Sequence, residues 1–126
     1  MNVVDSSAWL EYFAGGSNAI HFASVIETAA ELLVPSITLL EVFKKISQQH
    51  DSSVALRYVA LMQQAKVIDL DAAIAIRAAE LGRRHKLPLA DSIICATAQA
   101  GGATVWTQDA DFDGFDDVRY FAKSAG

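Results

Sequence analysis

The chain alternates between short, almost wholly apolar runs and longer segments whose apolar residues recur every three or four positions. The short runs predict strands at residues 2–5, 32–35 (Leu-Leu-Val-Pro), 67–70 (Val-Ile-Asp-Leu), 104–106 (Thr-Val-Trp) and 118–120 (Val-Arg-Tyr). The longer segments predict helices. One covers residues 7–14, opened by Ser6 or Ser7 and stopped by Gly15-Gly16. Others cover 18–30, 36 or 38 to about 49, 52–64, 71–85 and 89–100, the last ended by Gly101-Gly102. A helical turn is expected at 109–112.

Strands that are apolar on both faces and alternate with helices predict a mostly parallel sheet covered on both sides. Open sheets of this kind carry their sites beyond the strand C-termini, where strand order reverses. There is no internal repeat and no Pro/Gly-rich linker; Pro35 and Pro88 are the two prolines, so residues 1–126 are expected to form a single domain. At 126 residues and 52% hydrophobic, the chain can bury a core without disulfides. Cys95 is alone and sits among Ile93, Ile94 and Ala96. That excludes an intrachain disulfide or a cysteine-based zinc site and predicts a packed thiol. No apolar stretch reaches the roughly 18–20 residues that span a bilayer. With no basic leader before Asn2-Val3-Val4, a soluble cytoplasmic protein is expected.

A net charge of −5 argues against a simple electrostatic binder of nucleic acid. The charge is patterned, however. Acids crowd the C-terminal region (Asp109, Asp111, Asp113, Asp116, Asp117), and Arg83, Arg84, His85 and Lys86 crowd one loop. A protein that holds divalent cations must cluster carboxylates, and that alone biases the total.

Four acids stand out. Asp5 ends the first predicted strand; it can cap the next helix, but Ser6 and Ser7 serve equally well there. Asp91 is the one charged residue between Leu87 and Gly101, and Cys95 and Ala98 on its helical stripe cannot pair with it. A buried carboxylate in that position needs a cation, a donor network or a raised pKa, unless the free N–H groups after Pro88 suffice. Glu41 lies beside an apolar stripe and has Lys45 at i+4, the favourable order for an ordinary ion pair. Asp109 follows the fourth strand as a cap or turn acid, with Asp111 as a competitor for any functional role. Jointly, two acids after strands and two in early helical turns can converge at one sheet edge. Mg²⁺ and Mn²⁺ favour such oxygen ligands.

Val3-Val4-Asp5-Ser6-Ser7-Ala8, the Glu41 helix, Pro88-Leu89-Ala90-Asp91-Ser92-Ile93-Ile94-Cys95 and Thr104-Val105-Trp106-Thr107-Gln108-Asp109-Ala110-Asp111-Phe112 resemble the PIN domain. More narrowly, they resemble the VapC toxins of bacterial and archaeal toxin–antitoxin pairs. The resemblance runs through essentially the whole chain. It implies an α/β/α sandwich with strand order 3-2-1-4-5 and Mg²⁺- or Mn²⁺-dependent endoribonuclease activity on RNA. It implies acidic site positions at Asp5, Glu41, Asp91 and Asp109, with Asp5, Asp91 and Asp109 on metal, and accessory positions at Ser7 and Thr107. It also implies a homodimer and a cognate antitoxin that blocks the groove.

Arg83, Arg84 and Lys86 are candidates for guiding RNA phosphates, against a solvated helix end as the plain alternative. Trp9, Tyr12 and Phe13 are read as core, or as flanks of a groove or dimer interface. His21, His50 and His85 lack metal-ligand spacing. Three rival readings remain. A receiver-like phospho-acceptor domain would use Asp69 and Lys123, but it wants paired acids after the first strand, where Val4 and Ser6 flank Asp5. A haloacid-dehalogenase-type phosphatase needs Asp-x-Asp, which Asp5-Ser6-Ser7 fails. A non-catalytic module on the same fold has no need of all four acids.

Overall fold

A computed structural model describes residues 1–124. In chain order the elements are β1 (Asn2–Val4), α1 (Ser6–Ala14), α2 (Ala19–Ile26), a 3-10 turn (Ala29–Glu31), β2 (Leu32–Pro35), α3 (Ser36–Gln49), α4 (Ser52–Met62), β3 (Lys66–Ile68), α5 (Ala72–His85), α6 (Leu89–Ala100), β4 (Thr104–Thr107), a second 3-10 turn (Ala110–Phe112) and β5 (Val118–Tyr120). Among the described residues these strands form one sheet in the order β3-β2-β1-β4-β5, with every neighbouring pair parallel.

Alternation along the strands divides the core. Val3, Leu33 and Val105 point to one face and pack with Ile74, Leu81, Ile93, Ile94 and Ala98 of α5 and α6. Val4, Leu32 and Val34 point to the other and pack with Trp9, Phe22, Val42, Ile46 and Met62 of α1–α4. This two-residue period separates the layers of an α/β/α sandwich and explains why the strands read as continuous apolar runs. Cys95 is buried in the first layer, as expected; burial and then nearby Asp91 push its thiol up to about 11, so it stays protonated.

Several boundaries differ from the sequence reading. The helix expected over 18–30 stops at Ile26. Thr28 leaves helical backbone at φ −107°, ψ 70°, and its hydroxyl donates to the Ser24 carbonyl at 2.8 Å. Such local bonds compete with helix propagation. The third strand ends at Ile68, leaving Asp69 and Leu70 outside it. Asp51 and Asp71 cap α4 and α5 by accepting from Val54 N and Ile74 N. Gly15, at φ 66°, closes α1 in the left-handed conformation its sequence position predicts. Lys86 closes α5 in the same region at φ 55°. Among the described residues, no helix is long and apolar enough to cross a membrane.

Candidate active site

The strand order places the switch point between β1 and β4. The chain leaves β1 toward β2 and β3, then returns to lay β4 on the other side, with Val4 opposite Trp106. Residues that follow these two strands therefore share one crevice. Asp5 follows β1 directly, its N–H donating to the Trp106 carbonyl at 3.1 Å. Asp109 follows β4 by two residues and opens the 3-10 turn, accepting from Asp111 N at 2.9 Å.

Asp5 is itself the N-cap of α1, accepting from Ala8 N at 3.1 Å. This corrects the expectation that Ser6 or Ser7 opens that helix. The serines are otherwise engaged. Ser7 Oγ donates to both Asp5 oxygens, at 2.9 and 3.0 Å. Ser6 Oγ donates to Glu41 Oε1 at 2.6 Å and so ties the start of α1 to α3. That contact also replaces the Glu41–Lys45 ion pair expected from helical spacing. Among the described residues the ion pairs are instead Arg83 and Arg84 with Glu80, at 2.5 and 3.4 Å.

Asp91 lies in the first turn of α6 and opens its buried stretch, residues 91–98. Its oxygens and those of Asp109 and Asp111 can lie within 4.8 Å of one another. The crowding has an electrostatic signature. Burial, then the charge of Asp109 and further contributions from Asp5 and Asp111, push the Asp91 carboxyl up to about 8. Burial likewise raises Asp5 to about 6, with Asp109 adding to it. Ser7, the Ala8 N–H and Thr107 hold it lower than burial alone would set. Thr107 is fully buried at the end of β4 and accepts from Asp109 N at 2.8 Å. It thus touches the surroundings of both acids.

Asp5, Glu41, Asp91 and Asp109 line one cleft of about 270 Å³, together with Ser6, Ser7, Leu10 and Lys45. The structure thus brings the four acids singled out in the sequence to a single depression, with exposed Asp111 at its edge. Arg83, Arg84 and Lys86 are not among the cleft's lining residues. Arg84 and His85 instead line a separate depression of about 350 Å³ with Cys95 and Phe115. Ser6 and Lys45 belong to the site and had been read only as a cap and an ion-pair partner. Trp9 is buried in the core, whereas Phe13 packs at a tilt of 46° against Tyr58 with ring centroids 4.4 Å apart, in a groove beside the cleft. Tyr12 reaches the surface, its hydroxyl donating to Glu27 at 3.4 Å.

An all-oxygen donor set of close carboxylates, one of them raised by burial and then by its neighbours' charge, fits a hard divalent cation, because a cation offsets both effects at Asp91. The PIN domain family matches residues 3–118. The chain belongs to the PIN domain family. Solved structures similar to this PIN domain include a toxin–antitoxin complex from Klebsiella pneumoniae, at 24% identity and a TM-score of 0.78, covering 94% of this chain and 96% of that one. A VapC toxin of Mycobacterium tuberculosis that cleaves the sarcin-ricin loop aligns at 20% identity and a TM-score of 0.76, covering 94% and 99%. DNA-bound VapBC from Salmonella typhimurium aligns at 20% identity and a TM-score of 0.71, covering 97% and 98%. Among curated proteins, the sequence of this PIN domain has no match.

Proposed function

We propose that this PIN domain is a Mg²⁺- or Mn²⁺-dependent endoribonuclease, the toxin of a VapBC-type toxin–antitoxin pair. The observation that carries the reading is the convergence of Asp91, Asp109 and Asp111 within ligand distance of one another, beside buried Asp5 at the sheet's switch point. Asp5, Asp91 and Asp109 would hold the cation, with Asp111 as a further ligand. When bound, the cation supplies a lowered pKa for water and neutralises charge at the scissile phosphate.

The chain's own residues set the conditions for that chemistry. Ser7 and the α1 N-terminus fix the orientation of Asp5. Thr107 fixes the backbone of Asp109. Ser6 holds Glu41 at the cleft wall, where its carboxylate would orient a water for attack on phosphorus. Water adds to phosphorus, one P–O bond of the RNA backbone breaks, and the departing oxygen is protonated.

An antitoxin partner is supported by the Klebsiella and Salmonella relatives, both solved as toxin–antitoxin assemblies. A homodimeric cytoplasmic toxin follows from the same reading. The test is cleavage of RNA by the purified chain with Mg²⁺ or Mn²⁺, against Asp91→Asn and a chelator control. Metal-stimulated cleavage lost in Asp91→Asn supports the activity. Cleavage that persists undiminished in the folded variant, or that never appears, removes it. Association with the protein encoded beside it tests the toxin assignment separately.

A further inference from the structure

Among the described residues, the one basic side chain lining the acidic cleft is Lys45. It is exposed on α3, one turn beyond Glu41. Helical spacing favours an ion pair between the two, yet Glu41 is held by Ser6 Oγ at 2.6 Å and Lys45 has no ion-pair partner among the described residues. The lysine's charge therefore remains available to a ligand.

Its location says which ligand. Leu10 and Lys45 line the acidic cleft and also a second groove of about 200 Å³, whose walls include Phe13, Ile46 and Tyr58. Lys45 thus stands where a carboxylate-lined depression meets an apolar, aromatic one. A strand of RNA crossing the cleft carries a phosphate on each nucleotide, so binding one phosphate at the acids brings its neighbour to the rim. An ammonium suits that neighbour, since it binds phosphate as a point charge and makes no demand on base sequence. Arg83 and Arg84, the basic pair prominent in the sequence, are already paired with Glu80 and do not line this cleft.

We propose that Lys45 binds the RNA phosphate adjacent to the scissile one and sets the register of the strand across the acids. The proposal rests on the ribonuclease reading and deepens it. Lys45 touches substrate and does not hold the metal.

The test measures binding of a labelled single-stranded RNA oligonucleotide of mixed sequence, by fluorescence polarisation in Mg²⁺ over a salt series. The Asp91→Asn protein is the reference, because it is expected not to cleave. Adding Lys45→Ala should weaken binding about tenfold and flatten the log–log salt slope by about 0.7, the value for one phosphate contact on a single strand. Adding Lys45→Arg should retain both. Adding Lys44→Ala, on the same helix but outside the cleft lining, should leave both unchanged. The proposal is overturned if Lys45→Ala binds as the reference does, if Lys44→Ala weakens binding equally, or if the reference binds no RNA. Cleavage by the wild-type chain is scored separately. Lys45-dependent binding without cleavage would remove the ribonuclease reading and leave the phosphate site standing.

Discussion

Ser6 donates to Glu41 across 35 residues of sequence, at 2.6 Å. This bond joins the first residue of α1 to the middle of α3 and fixes two walls of the cleft relative to each other. It also keeps Glu41 from Lys45. Hydrogen bonds to charged groups contribute more than neutral ones, so Ser6→Ala is expected to cost about 2 kcal/mol in urea denaturation. Cleavage should fall about tenfold, as for loss of a group that orients an active-site carboxylate. Wild-type values in both assays would show that the bond orients nothing.

The pH dependence of the metal-free protein follows from Asp5 and Asp91, raised to about 6 and about 8 from an ordinary value of 3.8. In the folded state both hold their protons to higher pH than in the unfolded chain. The unfolded state therefore binds fewer protons in this window, and stability falls as pH rises. The contribution is fully present below about 3.8 and is lost through about 6 for Asp5 and about 8 for Asp91. Asp51 and Glu80 are shifted the opposite way, lowered by hydrogen bonds from Ser53 and from Arg83, and so titrate below the window in which Asp5 and Asp91 lose their protons. Thermal melts in chelator should give a lower midpoint at pH 8 than at pH 5. A divalent cation competes with the same protons, so the stabilisation by Mn²⁺ should grow between those values. A chelated protein that melts higher at pH 8 would contradict the assignment.

The layered fold was legible because each β-run is apolar on both faces and each helix carries its own period. Val3 and Val4 already implied two core layers. The four acids were legible for different reasons. Asp91 was conspicuous as a lone charge in an apolar helix, and Asp5 and Asp109 by their places after strands. Glu41 needed the family resemblance. What the sequence concealed was tertiary. Ser6 looked like one of two interchangeable caps because its partner lies on another helix. Lys45 looked neutralised because helical spacing cannot register that Glu41 is already bound elsewhere. The break at Thr28 depends on a side-chain bond to Ser24, whose strength against helix propagation is not written in periodicity.

Asp5 caps α1 and, under the proposed function, also holds the cation, two roles that substitution can separate. Asparagine caps helices as well as aspartate, whereas alanine costs about 1 kcal/mol at such a position. Asp5→Asn should therefore fold with stability near wild type, and at pH 8 above it, because position 5 then carries no buried charge. Asp5→Ala should be less stable than Asp5→Asn by about 1 kcal/mol. Both should lose metal-dependent RNA cleavage. If Asp5→Asn keeps full cleavage, Asp5 acts on the helix alone; if the two variants are equally stable, the bond to Ala8 N contributes nothing.

Asp109 and Asp111 compete for the same place beside Asp91, and their settings differ. Asp109 lines the cleft, is half-buried, and has its backbone fixed by Thr107. It is also the largest charge contribution to the raised Asp91 carboxyl, after burial. Asp111 is exposed, and its charge comes last among the causes of that shift. On these grounds Asp109 is expected to be the stronger ligand of the proposed cation. Asp109→Asn keeps a capping side chain for the 3-10 turn while removing the charge, so its effect should be electrostatic and not a loss of fold. Calorimetry with Mn²⁺ should show affinity reduced about tenfold or more for Asp109→Asn, and only severalfold for Asp111→Asn. Carboxyl NMR titration should show Asp91 falling toward the ordinary range in the Asp109 variant and moving less in the other. An equal or larger loss of Mn²⁺ affinity in Asp111→Asn would reverse the assignment and move the metal outward, toward the exposed edge of the cleft.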